Sequence, residues 1–249
     1  MRTHFVVHEA FEGPGIIEDW ARARGHDIRW SLLYDADPLP SAADDIDLLV
    51  VLGGPQQTTT TRTECAYFDA AAEKALILSA IKADKAVVGV CLGAQLIGEA
   101  LGAAAEPSPY REIGCFPVRL TDAGKRHEFF ADYAAKFIAG HWHDDMPGLT
   151  PDAAVLATSA GCPRQIVAYG KRVYGFQCHM EFTPDLVKTL IAQAEEDPTS
   201  PEGNPFVRPA VALQGYDFTA MNNQLTAFLD RLVSESPTAG AGGRRETGA

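Results

Sequence analysis

Residues 87–97 constrain the fold more than any other part of the chain, because their pattern predicts a strand that turns directly into a helix. Valines before Cys91 favour a buried β-strand, and residues 94–101 favour a helix. Gly89 and Gly93 lie on either side of the cysteine, where a side chain would obstruct the close approach of strand, turn and helix. The pattern therefore predicts that Cys91 occupies a nucleophile elbow, a corner that presents a reactive side chain at the start of a helix.

The start of a helix favours a reactive cysteine. Free N–H groups and the positive end of the helix dipole stabilise the thiolate form of Cys91. The alternative is a core cysteine in a buried strand, which is the usual environment of a free thiol. The paired glycines and a histidine later in the chain favour the nucleophile.

A second short apolar strand is predicted over residues 173–181, and it contains His179 with Glu181 two residues further on. In an extended chain, residues i and i+2 point to the same side, so Glu181 can reach the His179 ring. A cysteine nucleophile needs a base that takes its proton, an acid that protonates the leaving group, and an anion that orients the base. Cys91, His179 and Glu181 supply these roles together, although a histidine considered alone is more often structural.

The run Gly-Val-Cys-Leu-Gly-Ala-Gln and the later run Gln-Cys-His-Met-Glu resemble the class I (triad) glutamine amidotransferase family. The nearest likeness is to stand-alone members similar to the amidotransferase domain of GMP synthase. The resemblance extends from about residue 3 to about residue 191 and includes segments 50–55, 111–114 and 141–145. Two features depart from the family: Cys115 stands where an aromatic residue is common, and Gln56-Gln57 is followed by four threonines. These departures leave the chemistry intact and the exact substrate open.

The resemblance also implies roles for residues around the cysteine. The backbone N–H groups of Gly54 and Leu92 are similar to the family's oxyanion hole, which stabilises the charge of a tetrahedral intermediate. By the same resemblance, the amino-acid end of the substrate is held by Gln95, Trp142, His143, Asp144 and Asp145. The implied reaction is attack of Cys91 on the side-chain amide of glutamine or another γ-glutamyl amide. It requires no metal and no organic cofactor.

Three functions remain open for such a site. The first is a stand-alone glutamine amidotransferase that releases glutamate and ammonia, with a separate synthetase as partner. The second is a γ-glutamyl peptidase or hydrolase acting on γ-glutamyl amides such as glutathione conjugates, without ammonia channelling. The third is a non-catalytic binding or regulatory protein on the same fold, against which the complete triad argues.

Composition narrows the class of protein. With 249 residues, of which 46% are hydrophobic, the chain can bury the core of one α/β domain. The formal net charge of −12 argues against a nucleic-acid partner. Five irregularly spaced cysteines indicate reduced thiols, and neither a secretory signal nor an apolar run of about 18 residues is visible. We therefore expect a cytoplasmic protein with no membrane partner.

Strand and helix patterns alternate along the chain, which predicts an α/β fold with a mostly parallel central sheet. We expect a flavodoxin-like three-layer sandwich, helices on both faces and a small antiparallel flank. A single domain is expected over residues 1–233, a loop over 197–209 and a disordered tail over 234–249. The predicted strands are 4–8, 28–33, 47–52, 86–90, 116–120, 136–139, 154–158 and 164–169, and the predicted helices are 15–24, 64–83, 94–101, 184–195 and 217–233.

The spacing His141-x-His143-x-Asp145 is that of some zinc sites, because alternate residues of a strand share a face. The chain has seven histidines, and no second clustered pair in the sequence completes the coordination. We therefore predict that this segment forms a wall of the substrate pocket and holds no metal.

Overall fold

The computed structural model describes residues 1–193 and 204–234, and its nine strands form one sheet. The strands are β1 Arg2–Val7, β2 Asp27–Leu32, β3 Leu48–Val51, β4 Ala86–Val90, β5 Glu106–Leu120, β6 Lys136–Met146, β7 Ala154–Ser159, β8 Ile166–Ala168 and β9 Val173–Phe176. The helices are α1 Ile16–Ala23, α2 Ala70–Lys82, α3 Leu92–Ala100, α4 Asp122–Arg126, α5 Pro184–Gln193 and α6 Thr219–Ser234. The order across the sheet is β2-β1-β3-β4-β9-β8-β7-β5-β6.

The first five strands in this order run parallel. Every residue of β3 and β4 is buried, as expected for strands covered on both faces. Because alternate side chains point to opposite faces, neighbouring residues pack into two separate cores. Val50 and Val88 belong to one core, whereas Leu49 and Val87 belong to the other.

Helices complete both cores. Ile17 of α1 and Phe228 of α6 pack into the first core, and Ile77 of α2 and Leu96 of α3 pack into the second. The predicted α/β sandwich, with helices on both faces of the sheet, is therefore confirmed. In such a sheet, ligands bind beyond the carboxyl ends of the parallel strands.

The remaining strands form an antiparallel flank that is longer than the sequence predicts. β5 begins at Glu106 rather than at residue 116, and β6 continues to Met146 rather than ending at residue 139. Pro107, Pro109 and Gly114 interrupt the apolar alternation that identifies a strand, so the sequence pattern hides the first part of β5. Pairing with β6 outweighs that local preference.

Helix α2 begins later than the sequence predicts, at Ala70 rather than at residue 64. The Asp69 carboxylate accepts a hydrogen bond from the backbone N–H of Ala72 at 3.0 Å, which caps the helix at this point. The alanines that favour helix cluster from Ala70 onward, so composition and cap agree on this boundary.

Strand β9 ends at Phe176, so His179 lies beyond the strand in which the sequence places it. The ladder between β8 and β9 ends at the pair Ile166–Phe176. After the turn, His179 pairs in antiparallel fashion with Gly140 of β6. The histidine is thus held by the flank of the sheet.

Residues 194–203, which include the end of the predicted helix 184–195 and the first part of the predicted loop, lie outside the described residues, as does the predicted tail beyond Ser234. Ser234 itself is the last residue of α6. Within the described ranges, none of the helices combines the length and the apolar character needed to cross a membrane.

Candidate active site

Cys91 lies between the end of β4 and the start of α3, at the corner predicted from the sequence. Its backbone has φ 51° and ψ −110°, a conformation that costs free energy for any residue with a side chain. A Cβ atom on Gly89 would lie 2.4 Å from the carbonyl oxygen of Gly93, and one on Gly93 would lie 2.0 Å from that of Val51. The two glycines therefore permit the close packing that holds Cys91 in its strained turn.

His179 and Glu181 form a buried hydrogen-bonded pair, with 2.6 Å between Nδ1 of the ring and Oε1 of the carboxylate. The ring stacks on Phe182, with 4.5 Å between the ring centroids. The backbone N–H of His179 donates to the carbonyl of Gly140 at 2.8 Å. Stacking and backbone pairing together fix the orientation of the imidazole.

The loop that carries the pair is anchored by two helices. The backbone N–H of Ile16, the first residue of α1, donates to the carbonyl of Glu181 at 3.1 Å. From α6, the side-chain amide of Asn222 donates to the carbonyls of Met180 and Phe182 at 2.8 and 3.0 Å. Asn222 is nearly buried, so these bonds are shielded from water.

The thiol and the imidazole meet next to Gly53, at the end of β3. A side chain on Gly53 would begin 3.4 Å from Cβ of Cys91 and 3.5 Å from Cε1 of His179. Burial opposes the charged form of the ring, but the negative charges of Glu181 and of the Cys91 thiolate outweigh it and raise the pKa of His179 well above its usual value. The arrangement favours a protonated imidazole beside the sulfur.

Two glutamines connect α3 to the sulfur. The side-chain amide of Gln177 donates to Sγ of Cys91 at 3.4 Å, and that of Gln95 donates to Oε1 of Gln177 at 3.1 Å. Sγ also lies 3.7 Å from the carbonyl oxygen of Trp142. The sequence predicts substrate contact for Gln95 and no role for Gln177, whereas the structure links both to Cys91.

A buried ion pair supports the glycines of residues 53 and 54. Nδ1 of His8 lies 2.9 Å from the carbonyl oxygen of Gly53, and its Nε2 lies 2.8 Å from the Glu73 carboxylate. Burial disfavours the charged ring, but Glu73 raises the pKa of His8 above its usual value. Sequence reasoning misses this pair, although His8 directly follows β1 and so lies at the carboxyl edge of the sheet, where sites form.

All the residues predicted for the site line one cavity of about 380 Å³. They are Gly54, Cys91, Leu92, Gln95, Trp142, His143, Asp144, Asp145, His179 and Glu181. Leu92 is the first residue of α3, so its N–H has no acceptor within the helix and is available to a ligand. The cavity has further walls that the sequence does not predict, among them Glu12 and Arg111.

One residue that the sequence does not predict joins the histidine pair of β6. Glu112 of β5 pairs with His143 across the sheet, and its Oε2 lies 3.2 Å from Nε2 of His143 and 3.5 Å from Nδ1 of His141. All three side chains are buried and offer ligand atoms within 4.8 Å of one another, an arrangement with the donor types of a zinc site. Asp145, the third member of the sequence pattern, is not part of this cluster. The sequence does not predict this cluster, because Glu112 and the two histidines lie on different strands and become neighbours only through the pairing of β5 with β6.

Hydrogen bonds already occupy most of the cluster. The Glu112 carboxylate accepts from Oγ of Ser159 at 2.8 Å and from the side-chain amide of Gln165 at 2.5 Å. His143 donates from Nδ1 to the carbonyl of Asp145 at 3.1 Å. Burial lowers the pKa of His141 to about 3, which keeps this ring neutral.

A family model described as "Glutamine amidotransferase class-I" matches residues 22–195. The glutamine amidotransferase-like protein YfeJ of Salmonella typhimurium is 52% identical over 233 residues, covering 94% of this chain and 98% of that protein. The glutamine-hydrolysing GMP synthase of Lacticaseibacillus rhamnosus is 34% identical over 97 residues, and that match spans 38% of this chain and 18% of the synthase.

Solved structures agree in fold. The crystal structure of SMU.1228c superposes with a TM-score of 0.91 at 48% identity, covering 93% of this chain and 99% of that one. A glutamine amidotransferase from Methylobacillus flagellatus superposes with a TM-score of 0.86 at 23% identity, covering 98% of each chain. The second likeness concerns the fold alone.

Proposed function

The chain belongs to the class-I glutamine amidotransferase family, and we propose that it hydrolyses the side-chain amide of glutamine or of a γ-glutamyl compound through a thioester on Cys91. The observation that carries the proposal is the meeting of a strained cysteine at a helix start with a buried imidazole whose Nδ1 lies 2.6 Å from Glu181. A thiolate of this kind is a strong nucleophile, and an oriented imidazolium is a suitable acid.

In the first half of the reaction, Sγ of Cys91 attacks the amide carbon and forms a tetrahedral intermediate. The N–H groups of Gly54 and Leu92 stabilise the negative oxygen of that intermediate. His179 then gives its proton to the amide nitrogen, the carbon–nitrogen bond breaks, and ammonia or an amine leaves. A γ-glutamyl thioester remains on Cys91.

In the second half, His179 is neutral and takes a proton from water as the water attacks the thioester carbon. Collapse of this second intermediate breaks the carbon–sulfur bond. Glutamate leaves, and the thiolate and the imidazolium are restored. Glu181 keeps its charge throughout and orients the ring. This sequence of steps uses no metal and no organic cofactor.

The released ammonia would pass to a synthetase on a separate chain, as the likeness to glutamine-hydrolysing GMP synthases suggests. The cavity supports a second candidate, hydrolysis of larger γ-glutamyl amides. Its volume of about 380 Å³ lies in the range of about 300–1,000 Å³ typical of sites for drug-sized ligands. A site of this size has room for more than an ammonia leaving group.

The test is to incubate the purified protein with glutamine and with a set of γ-glutamyl amides, and to measure glutamate together with ammonia or free amine. We expect equimolar release of both products by the wild-type protein and none by Cys91→Ala. Release that persists in Cys91→Ala would overturn the proposal. Failure to hydrolyse any of these compounds, with and without cell extract, would leave the non-catalytic interpretation as the better one.

A further inference from the structure

One acidic residue of the cavity has no part in the mechanism above. Glu12 lies in the loop between β1 and α1 and lines the cavity together with Phe11, Phe182, Leu186 and Leu190. These four other side chains are apolar, and none of the five residues is among those expected to hold the amino-acid end of the substrate. These parts of the cavity wall are therefore available to the other end of the substrate, the leaving group.

The Glu12 carboxylate lies beside the reacting groups. Its Oε2 is 2.6 Å from the position that a Cβ atom on Gly53 would take, and the same position is 3.4 Å from Cβ of Cys91 and 3.5 Å from Cε1 of His179. Only the absence of a side chain on Gly53 leaves room for it. A group held by Glu12 is consequently close to the bond that is cleaved.

The carboxylate is short of partners. Among the described residues, no group donates a hydrogen bond to it and no lysine or arginine forms an ion pair with it. Burial raises the pKa of Glu12 to about 7, against the opposing effect of His179 and His8. A carboxylate with which no lysine or arginine pairs gains a charge-assisted hydrogen bond from a ligand that brings a positive charge.

We propose that Glu12 binds a positively charged group on the leaving amine of the substrate, so that the protein prefers γ-glutamyl amides of short diamines to those of neutral or acidic amines. The inference rests on the proposed function and narrows its substrate class. The apolar side chains of the cavity wall suit the methylene groups between the two nitrogens of a diamine. A γ-glutamyl amino acid carries a carboxylate on its leaving group, which Glu12 repels.

The chemistry is that of the proposed reaction. The bond between the γ-carbonyl carbon and the amide nitrogen breaks, and the carbon stays on Sγ of Cys91 as the thioester. The nitrogen takes its proton from His179, and the diamine leaves with its remote ammonium group beside Glu12. Water then releases glutamate as before.

Three synthetic amides of matched length test the proposal: the γ-glutamyl amides of 1,3-diaminopropane, of butylamine and of β-alanine. They place an ammonium, a methyl group or a carboxylate at similar distances from the cleaved bond. Values of kcat/KM are measured for each, and for glutamine, with the wild-type protein, Glu12→Gln and Glu12→Ala. Asp19→Asn, an exposed carboxylate of α1 outside the cavity, is the control.

We expect the wild-type protein and the control to favour the diamine amide over the butylamide by about ten- to one-hundredfold, the range of a charge-assisted hydrogen bond. Both Glu12 variants should reduce this ratio to within about threefold, and glutamine hydrolysis by the same variants reports any effect on the reaction itself. Thermal unfolding of each variant identifies any that fails to fold.

Each outcome is decisive. Equal kcat/KM for the diamine amide and the butylamide in the wild-type protein would overturn this inference and leave the proposed function intact. A preference that survives in both folded Glu12 variants would do the same. If the wild-type protein hydrolyses none of the four compounds, the proposed function and this inference fail together.

Discussion

Nδ1 of His179 donates a hydrogen bond to Oε1 of Glu181 across 2.6 Å, while Nε2 of the same ring is buried and has no hydrogen-bond partner in the part of the chain that the structure describes. The carboxylate therefore fixes one nitrogen and leaves the other for proton transfer. With Cys91 adjacent, the relationship assigns the proton to Nε2 and orientation to Glu181. The first two predictions follow from this assignment.

Replacing the nucleophile should remove turnover without unfolding the protein. We expect Cys91→Ala to lose at least about three orders of magnitude in kcat on any compound that the wild-type protein hydrolyses. Cys91→Gly should be equally inactive but more stable than Cys91→Ala by about 1 kcal/mol, since glycine adopts φ 51° without steric cost. Steady-state rates and thermal unfolding check both. Near wild-type turnover in Cys91→Ala would refute the assignment.

The base should matter more than the residue that orients it. We expect His179→Ala to reduce kcat by at least about two orders of magnitude and Glu181→Gln to reduce it less. Rates at saturating substrate decide this, with His26→Gln, a histidine outside the cavity, as the control. A larger loss in Glu181→Gln than in His179→Ala would reverse the proposed roles.

A glutamine-analogue diazo-ketone should label Cys91 alone. Burial raises the pKa of Cys162 to about 11 and that of Cys115 to about 12, and it also raises the pKa of Cys178 well above its usual value, so these thiols stay protonated and unreactive. Cys65 is partly exposed and is the competitor to exclude. Peptide mass spectrometry should find an unchanged label in Cys65→Ser and none in Cys91→Ala. Label spread over several cysteines would contradict the selective activation of Cys91.

Chelators should leave activity unchanged, although Glu112, His141 and His143 form a cluster of zinc-ligand types. Hydrogen bonds from Ser159 and Gln165 already engage the Glu112 carboxylate, so a metal would have to displace them. Elemental analysis of the purified protein should find much less than one transition metal per chain. Stoichiometric metal, or activity lost to a chelator and restored by zinc, would contradict this expectation.

The preference for a cationic leaving group should depend on pH. The ratio of kcat/KM between the diamine amide and the butylamide should rise between about pH 6 and pH 8, because Glu12 ionises near pH 7 in the free protein while the ammonium of the diamine stays charged. The groups that act on Glu12 are His179, His8, Glu181 and Glu9, and their effect on the reaction itself cancels in the ratio. In Glu12→Gln the ratio should be flat. A ratio independent of pH in the wild-type protein would show that Glu12 does not bind the cation.

Local features of the sequence predict much of the fold. The sequence predicts the parallel strands, the alternating helices and the strand-to-helix corner at Cys91. Each of these depends on periodicity or on glycine within a short segment. The full lengths of β5 and β6 cannot be predicted in this way, because prolines and glycines interrupt the apolar pattern of these strands. Their extent depends on the hydrogen bonds that they form with each other.

The sequence by itself identified the residues that we propose to react: Cys91 between two glycines, and His179 with Glu181 two residues on. The tertiary structure alone decided what surrounds them. Glu112 reaches the histidines of β6 through cross-strand register, and Glu12 and Cys91 both lie next to Gly53 because the first and fourth strands end at the same edge of the sheet. Such contacts join residues far apart in the chain, and no local pattern encodes a distance that only packing of the whole sheet sets.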